Sequence, residues 1–442
     1  MSDNETGTPR VPGFGTRAIH AGARPDPTTG ARQTPIYQTT SYVFDNVDHA
    51  ASLFNLQQLG FIYSRLTNPT VSVLEERMAS LEGGVGAVAT SSGHAAQLLA
   101  LFPFMEPGAE IVLANKLYGG TINQLGNSFK RAFGWIPHFV DADDPEAFRA
   151  AVTPQTRALF IESLANPGGV VSDIEAIAAV AREAGVPLIV DNTMATPYLC
   201  RPFEHGADLV VHSTTKFLSG NGTSVGGVVV DSGRFNWSGS DKFKGLTQPD
   251  PGYHGLKFHE TFGELAFTFH GHAVGLRDLG VNQQPLNAFL TLLGLETLGL
   301  RMQRHCGNAQ TVAEFLAGHP AVDWVAYAGL PGSRYHALAK RYVPKGAGAV
   351  FTFGLKGGYD AGVRMVESVE LFSHLANIGD ARSLIIHPAS TTHRQLPPEA
   401  QAAAGAGPDV VRLSIGLEDV DDIIADLDQA LKRAGEGRAA AE

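Results

Sequence analysis

Leu209-Val210-Val211-His212-Ser213-Thr214-Thr215-Lys216 is the stretch that decides the fold: an apolar run passes into hydroxyl side chains and ends on a lysine. Upstream, Leu188-Ile189-Val190-Asp191 makes the same move with an acid at its end. Short apolar runs of this kind read as strands buried on both faces, as in a parallel sheet between helices. Ala87–Ala89, Ile111–Ala114, Ala158–Ile161 and Gly227–Val230 repeat the pattern. Helical text lies between them, clearest from Asp173 to Gly185, where an aspartate suits an N-cap, a glycine suits a stop, and the apolar positions share one face. The alternation predicts an α/β fold with a mainly parallel sheet covered by helices. In such sheets ligands bind beyond the carboxyl ends of the strands, which is where Asp191 and Lys216 fall.

Outward from this centre the chain divides into three regions. Residues 1–67 read as an extended N-terminal arm, with Pro25, Pro27, Gly30 and Pro35 breaking any sustained period. Asn68-Pro69 has the form of an N-cap followed by a first-turn proline, and Val73, Leu74, Met78 and Leu81 follow on one helical face. A large domain then spans 68–284. Within it, 232–280 is rich in Gly, His and Phe and reads as a long excursion near the ligand site. Residues 285–442 form a smaller α+β domain, opened by a long helix from Leu286 to His305 and closed by an amphipathic helix from Asp419 to Leu431. The Ala/Gly-rich end is expected to fray. No internal repeat is evident.

Bulk properties narrow the classes. The chain has 442 residues, 44% of them hydrophobic and 17% charged, which is ordinary for a globular enzyme. A formal net charge of −11 disfavours nucleic acid and anionic membrane as partners. Two cysteines, Cys200 and Cys306, are too few for a disulfide framework and suit a reducing compartment. No segment has the apolar length of a signal core or a membrane span, so the expected location is the cytoplasm.

A lysine and an acid, each ending a predicted buried strand, are the two groups that pyridoxal phosphate requires. The amine of Lys216 forms the Schiff base, and Asp191 keeps the pyridinium nitrogen protonated. Ser213 and Thr215, read as alternate residues of an extended segment, offer hydroxyls to the phosphate on one face. Ser92-Gly93-His94-Ala95 follows one strand and opens a helix, so the amides of Gly93 and His94 head a helix N-terminus toward the same anion. Two other matches are set aside. Gly222-Thr223-Ser224-Val225-Gly226 fits G-x-S-x-G but runs into a strand where a nucleophile elbow demands a helix. His254, His259, His270 and His272 cluster without metal-ligand spacing, and no metal is expected.

Taken together with Tyr63-Ser64-Arg65-Leu66-Thr67-Asn68-Pro69-Thr70, Tyr118-Gly119-Gly120-Thr121, His387-Pro388-Ala389-Ser390 and Val411-Arg412-Leu413-Ser414, these motifs resemble the Cys/Met-metabolism family of fold-type-I pyridoxal-phosphate enzymes. The resemblance runs from about Thr16 to Leu431. It implies a seven-stranded, mainly parallel sheet, and it implies roles. Tyr118 would stack on the cofactor ring and move protons, and Asn166 would contact the ring's 3′-oxygen. Arg412 would clamp the substrate carboxylate with the backbone of Asn377 assisting. Tyr63 and Arg65 would reach the phosphate and substrate of a neighbouring subunit, making a homodimer with shared sites, usually paired into a homotetramer.

Gln248-Pro249-Asp250-Pro251-Gly252-Tyr253-His254-Gly255 and Leu375-Ala376-Asn377-Ile378-Gly379-Asp380 look most like the O-acetylhomoserine sulfhydrylase branch. That branch implies γ-replacement with sulfide or a thiol such as methanethiol. A γ-lyase or a cystathionine γ-synthase is the alternative, and a non-catalytic scaffold the distant one. Gly120 stands where methionine γ-lyases usually carry cysteine.

Overall fold

The computed structural model describes residues 10–439, apart from Pro167, His393, Gln395, Leu396, Pro398, Ala400 and 402–404. The polar start and the extreme Ala-rich end discussed above lie outside these residues.

Seven strands form the large sheet: β1 (Gly86–Thr90), β2 (Glu110–Ala114), β3 (Ile136–Val140), β4 (Thr156–Glu162), β5 (Leu188–Asp191), β6 (Leu209–Ser213) and β7 (Gly227–Asp231). Their order across the sheet is β1-β7-β6-β5-β4-β2-β3. Pairings are parallel from β6 through β3, and β7 runs antiparallel to both of its neighbours. The mainly parallel architecture is as expected, and six of its strands are those read from the sequence. The seventh, β3, is an edge strand with none of its residues buried and Pro137 at its second position. An edge is where a sheet tolerates proline and polar residues, so the strand carries no apolar run to announce it.

The expected caps are present. Asn68 Oδ1 accepts from the amides of Thr70 and Val71 at the head of α3 (Pro69–Glu82). Asp173 caps Ile174–Ala184, which stops at Gly185 with φ +62°. The 1–67 region differs from a purely extended arm. It holds α1 (Phe14–His20) and α2 (Val47–Phe54), the second capped by Asn46. These helices are too short for a readable period. The intervening chain is pinned to α3, where Thr70 Oγ1 accepts from Tyr37 N and donates to Pro35 O.

The long helix of the C-terminal region is interrupted. Pro285–Glu296 ends at Thr297, and a second helix runs Leu298–Gly318. Arg301 and Thr297 side chains both donate to the Gly294 carbonyl, which takes over an acceptor the continuous helix would need. A five-stranded sheet follows: β8 (Val322–Ala326), β9 (Val350–Leu355), β10 (Ser373–His374), β11 (Leu384–Ile386) and β12 (Val410–Ser414), in the order β8-β9-β12-β11-β10. The closing helix spans Val420–Ala439.

The 232–280 excursion does not line the central pocket. It folds into short helical pieces around a buried aromatic nest that includes Phe104, Trp237, Phe243 and Phe267. His272 Nδ1 meets the Leu66 carbonyl, and Arg277 O accepts from Arg65, so its contacts run to the Tyr63–Leu66 segment. Its aromatic richness serves packing rather than the site. Among the described residues no group of three or more His, Cys, Asp and Glu is placed to hold a metal ion.

Candidate active site

The carboxyl ends of β1, β2, β4, β5 and β6 emerge at one edge of the sheet, a consequence of their common direction. A cavity of about 310 Å³ lies there, lined by Gly93, His94, Tyr118, Asn166, Asp191, Ser213, Thr215, Lys216, Asn377 and Arg412 among others. Its size is in the range of small-molecule sites. Ten of the twelve residues singled out from the sequence therefore meet in one place.

Lys216 lies three residues beyond the end of β6, in a turn rather than on the strand. Its Nζ donates to Asn377 Oδ1 at 2.5 Å. Burial, aided by the Arg412 guanidinium, pulls the amine down to about 8, so roughly a tenth to a fifth of it is neutral near physiological pH, far more than for an ordinary lysine. Asp191 ends β5. Its Oδ1 accepts from the Thr193 amide and its Oδ2 from Gln97 Nε2. The turn-capping role and the pocket-facing role thus coexist in one carboxylate.

Ser213 and Thr215 both reach the cavity, but not along one extended segment. The strand stops at Ser213 and the chain turns through Thr214–Phe217. Thr193 Oγ1 accepts from Ser213 N, and Thr215 Oγ1 accepts from Gly226 N, so the turn is tied to loops on both sides. Opposite stands the head of α4 (Gly93–Leu101), where Ser92 Oγ caps Ala95 N. A Cβ at Gly93 would lie 2.8 Å from Ser213 Cβ. Only glycine lets this helix terminus approach the hydroxyls so closely, which makes a cradle of amides and hydroxyls suited to a phosphate.

Arg412, on β12, donates from Nη1 to Asn166 Oδ1 and from Nη2 to the Asn377 carbonyl, each at 3.2 Å. Burial lowers it to about 10, which leaves it cationic at neutral pH. The Asn377 backbone therefore positions Arg412, and its side chain receives the lysine, two functions instead of the single backbone one anticipated. The Tyr118 ring is tilted against His94 at 5.8 Å. Burial holds the His94 imidazole below its usual pKa, with Asp191 opposing.

Tyr63 and Arg65 are not among these residues. They line a separate polar hollow with Thr39, Ser64, Asn282 and Gln284. Tyr63 is 42% exposed, and Arg65 lies over its ring at 5.4 Å.

Some site residues escaped the sequence reading. Glu162 ends β4 on the cavity wall, and its position after the apolar Ala158–Ile161 was the same strand-end signal that marked Asp191. Gln97 and Thr193, which hold Asp191, carried no local signal. Behind the cavity, fully buried Glu82 meets His212 Nε2 at 2.6 Å and accepts from Asn192 Nδ2. This network ties α3 to the ends of β5 and β6. The G-x-S-x-G serine, Ser224, is buried and donates to Asn287 O.

A buried lysine with a lowered pKa, a carboxylate at the next strand end and a phosphate cradle on the same cavity define a site for pyridoxal phosphate. The sequence profile described as Cys/Met metabolism PLP-dependent enzyme matches residues 15–432, and the chain belongs to that family. It is 54% identical over 426 residues to an O-acetyl-L-homoserine sulfhydrylase of Leptospira meyeri, covering 94% of this chain and 96% of the relative. It is 52% identical over 420 residues to O-acetyl-L-homoserine sulfhydrylase 1 of Thermus thermophilus, covering 95% and 99%. Among solved structures, it superposes with a TM-score of 0.92 on an O-acetylhomoserine (thiol)-lyase from Campylobacter jejuni that carries N′-pyridoxyl-lysine-5′-monophosphate. That match has 42% identity and covers 95% of this chain and 99% of the other.

The lowered lysine has a measurable consequence. Capture of pyridoxal phosphate by the apoprotein needs the neutral amine, so its rate should climb up to about pH 8 and then level. Arg412→Gln should move that midpoint upward, because the guanidinium contributes to the depression. A rate that keeps rising to about pH 10, as for an ordinary lysine, would contradict the assignment.

Proposed function

We propose that this enzyme carries out γ-replacement on an acylated homoserine: O-acetyl-L-homoserine and sulfide give L-homocysteine and acetate. The observation that carries the reading is the convergence of Lys216, Asp191 and Arg412 on one cavity, in a chain about half identical, over nearly its full length, to enzymes named for that substrate. Methanethiol in place of sulfide would give methionine by the same chemistry.

Pyridoxal phosphate, when bound, supplies an electron sink for negative charge developing beside the substrate's amino group. Asp191 would hold its ring nitrogen, and Ser213, Thr215 and the amides of Gly93 and His94 would hold its phosphate. Arg412 would grip the substrate carboxylate through two parallel N–H donors, an arrangement a lysine cannot reproduce. That grip orients the Cα–H bond toward the neutral amine of Lys216, which removes the proton and returns it at the end. Tyr118, beside His94, would cover the ring and assist proton movement. Acetate leaves from Cγ and hydrosulfide bonds to the same carbon. Gly120 leaves the room that His94 and Tyr118 occupy, since a Cβ there would collide with both rings.

Tyr63 and Arg65 are assigned to the phosphate and substrate of a neighbouring subunit in a homodimer, and two dimers to a homotetramer. Their place in a separate hollow, outside the cavity of their own chain, and their exposure support this. The cytoplasm is the proposed location.

Purified enzyme should convert O-acetyl-L-homoserine and sulfide to homocysteine, with acetate released in equal amount. Formation of 2-oxobutyrate without homocysteine would replace this reading with a γ-lyase. The shared site is tested separately. Inactive Lys216→Ala and Arg65→Ala chains, mixed under conditions where subunit exchange is demonstrated, should regain part of the activity, because one hybrid site has both residues intact. No recovery after proven exchange would mean that Arg65 acts within its own chain.

A further inference from the structure

Glu162 is buried at 4% exposure on the cavity wall and belongs to none of the roles above. Its Oε1 accepts from Tyr118 N at 2.6 Å, and its Oε2 accepts from Asn166 N at 3.0 Å. These amides come from two different loops, one following β2 and the other following β4. Register pairs Glu162 with Asp191 across the parallel β4–β5 ladder, so the two acids stand side by side at the ends of adjacent strands. Asn166 in turn accepts from Arg412. A single carboxyl group thus fixes the backbone of Tyr118 directly and supports Arg412 through Asn166.

We propose that Glu162 is a positioning residue for the γ-replacement, setting Tyr118 and the Asn166–Arg412 pair over the cofactor from a fixed place beside Asp191. Burial, and after it the Asp191 carboxylate, pushes Glu162 well up from the ordinary carboxyl range. Two neighbouring acids in a dry place repel each other when both are ionised, and the two amide N–H groups that Glu162 accepts from offset part of that cost. Most of the groups that hold the cofactor are secured otherwise: Asp191 by Thr193 and Gln97, Ser213 by Thr193, and α4 by Ser92, so that only the ring contacts of Tyr118 and Asn166 depend on Glu162. Loss of Glu162 should therefore disturb the handling of the amino acid more than the retention of the cofactor.

The proposal rests on the γ-replacement reading, so wild-type turnover of O-acetyl-L-homoserine with sulfide is established first; its failure would sink that reading rather than this one. Glu162→Gln keeps the shape but turns one acceptor oxygen into a donor that faces an N–H. In the holoenzyme it should retain the cofactor's visible absorption through dilution and gel filtration. Its kcat/KM for O-acetyl-L-homoserine should fall by roughly 10–100-fold, the scale of one lost buried hydrogen bond. The KM for sulfide should stay within about twofold, since no amino-acid carboxylate is involved. Binding of L-norvaline, which has the carboxylate and amine but no leaving group, is read from its change in the visible spectrum and should weaken by a similar factor. Glu162→Asp, too short to span both amides, should show the same split less severely and stands in if the glutamine variant does not fold. Unchanged amino-acid kinetics, or equal losses for both substrates together with loss of cofactor, would overturn the proposal.

Discussion

Direction is the constraint on which this site depends. Six of the seven strands run the same way, so their carboxyl ends meet at one edge, and register then decides which side chains become neighbours. Pairing Glu162 with Asp191, and Asp191 with Val211, places two acids in line beside the turn that carries Lys216. The apolar residues preceding each of them are fully buried, which holds the strand ends rigidly. A one-residue slip would turn either acid to the opposite face of the sheet. The rigidity is reinforced from behind by Glu82, His212 and Asn192.

The C-terminal region completes the lysine's surroundings. Arg301, which burial lowers to about 10, donates to the carbonyls of Phe217 and Leu218, the two residues that follow Lys216. Ala381 N donates to Gly220 O, and Asn377 receives Nζ itself. An arginine buried among backbone acceptors is costly unless those acceptors are otherwise unpaired. Here it closes the turn after Lys216 and interrupts its own helix at Thr297 in doing so. The position of the lysine is therefore shared between the two parts of the chain, as is that of Arg412, which donates to both Asn166 and Asn377.

Much of this was legible in the sequence for a physical reason. Lys216, Asp191, Asn68, Asp173 and Gly93 act through local rules of strand ends, caps and close approach, so neighbouring residues reveal them. What was not legible depends on contacts made across the fold. Nothing near Thr297 announces a break that Arg301 imposes from the next helix. Pro137 hides β3 because an edge strand is free of the demand for apolar alternation. The aromatic excursion reads like a functional loop, yet its rings pack around Trp237 rather than on the cavity. Tyr118, Asn166 and Arg412 stand far apart in sequence, and only family resemblance, not spacing, joined them before the fold did.

We propose that Lys216 alone among the lysines carries the cofactor, because burial and the Arg412 guanidinium lower its amine to about 8 at the mouth of the converging strands. Borohydride reduction of the pyridoxal-phosphate-loaded protein, followed by digestion and peptide mass spectrometry, tests it most directly. The prediction is one phosphopyridoxyl group per chain, on the peptide containing Ser213-Thr214-Thr215-Lys216. Labelling at a different lysine, or stoichiometric cofactor with no label at Lys216, would contradict it.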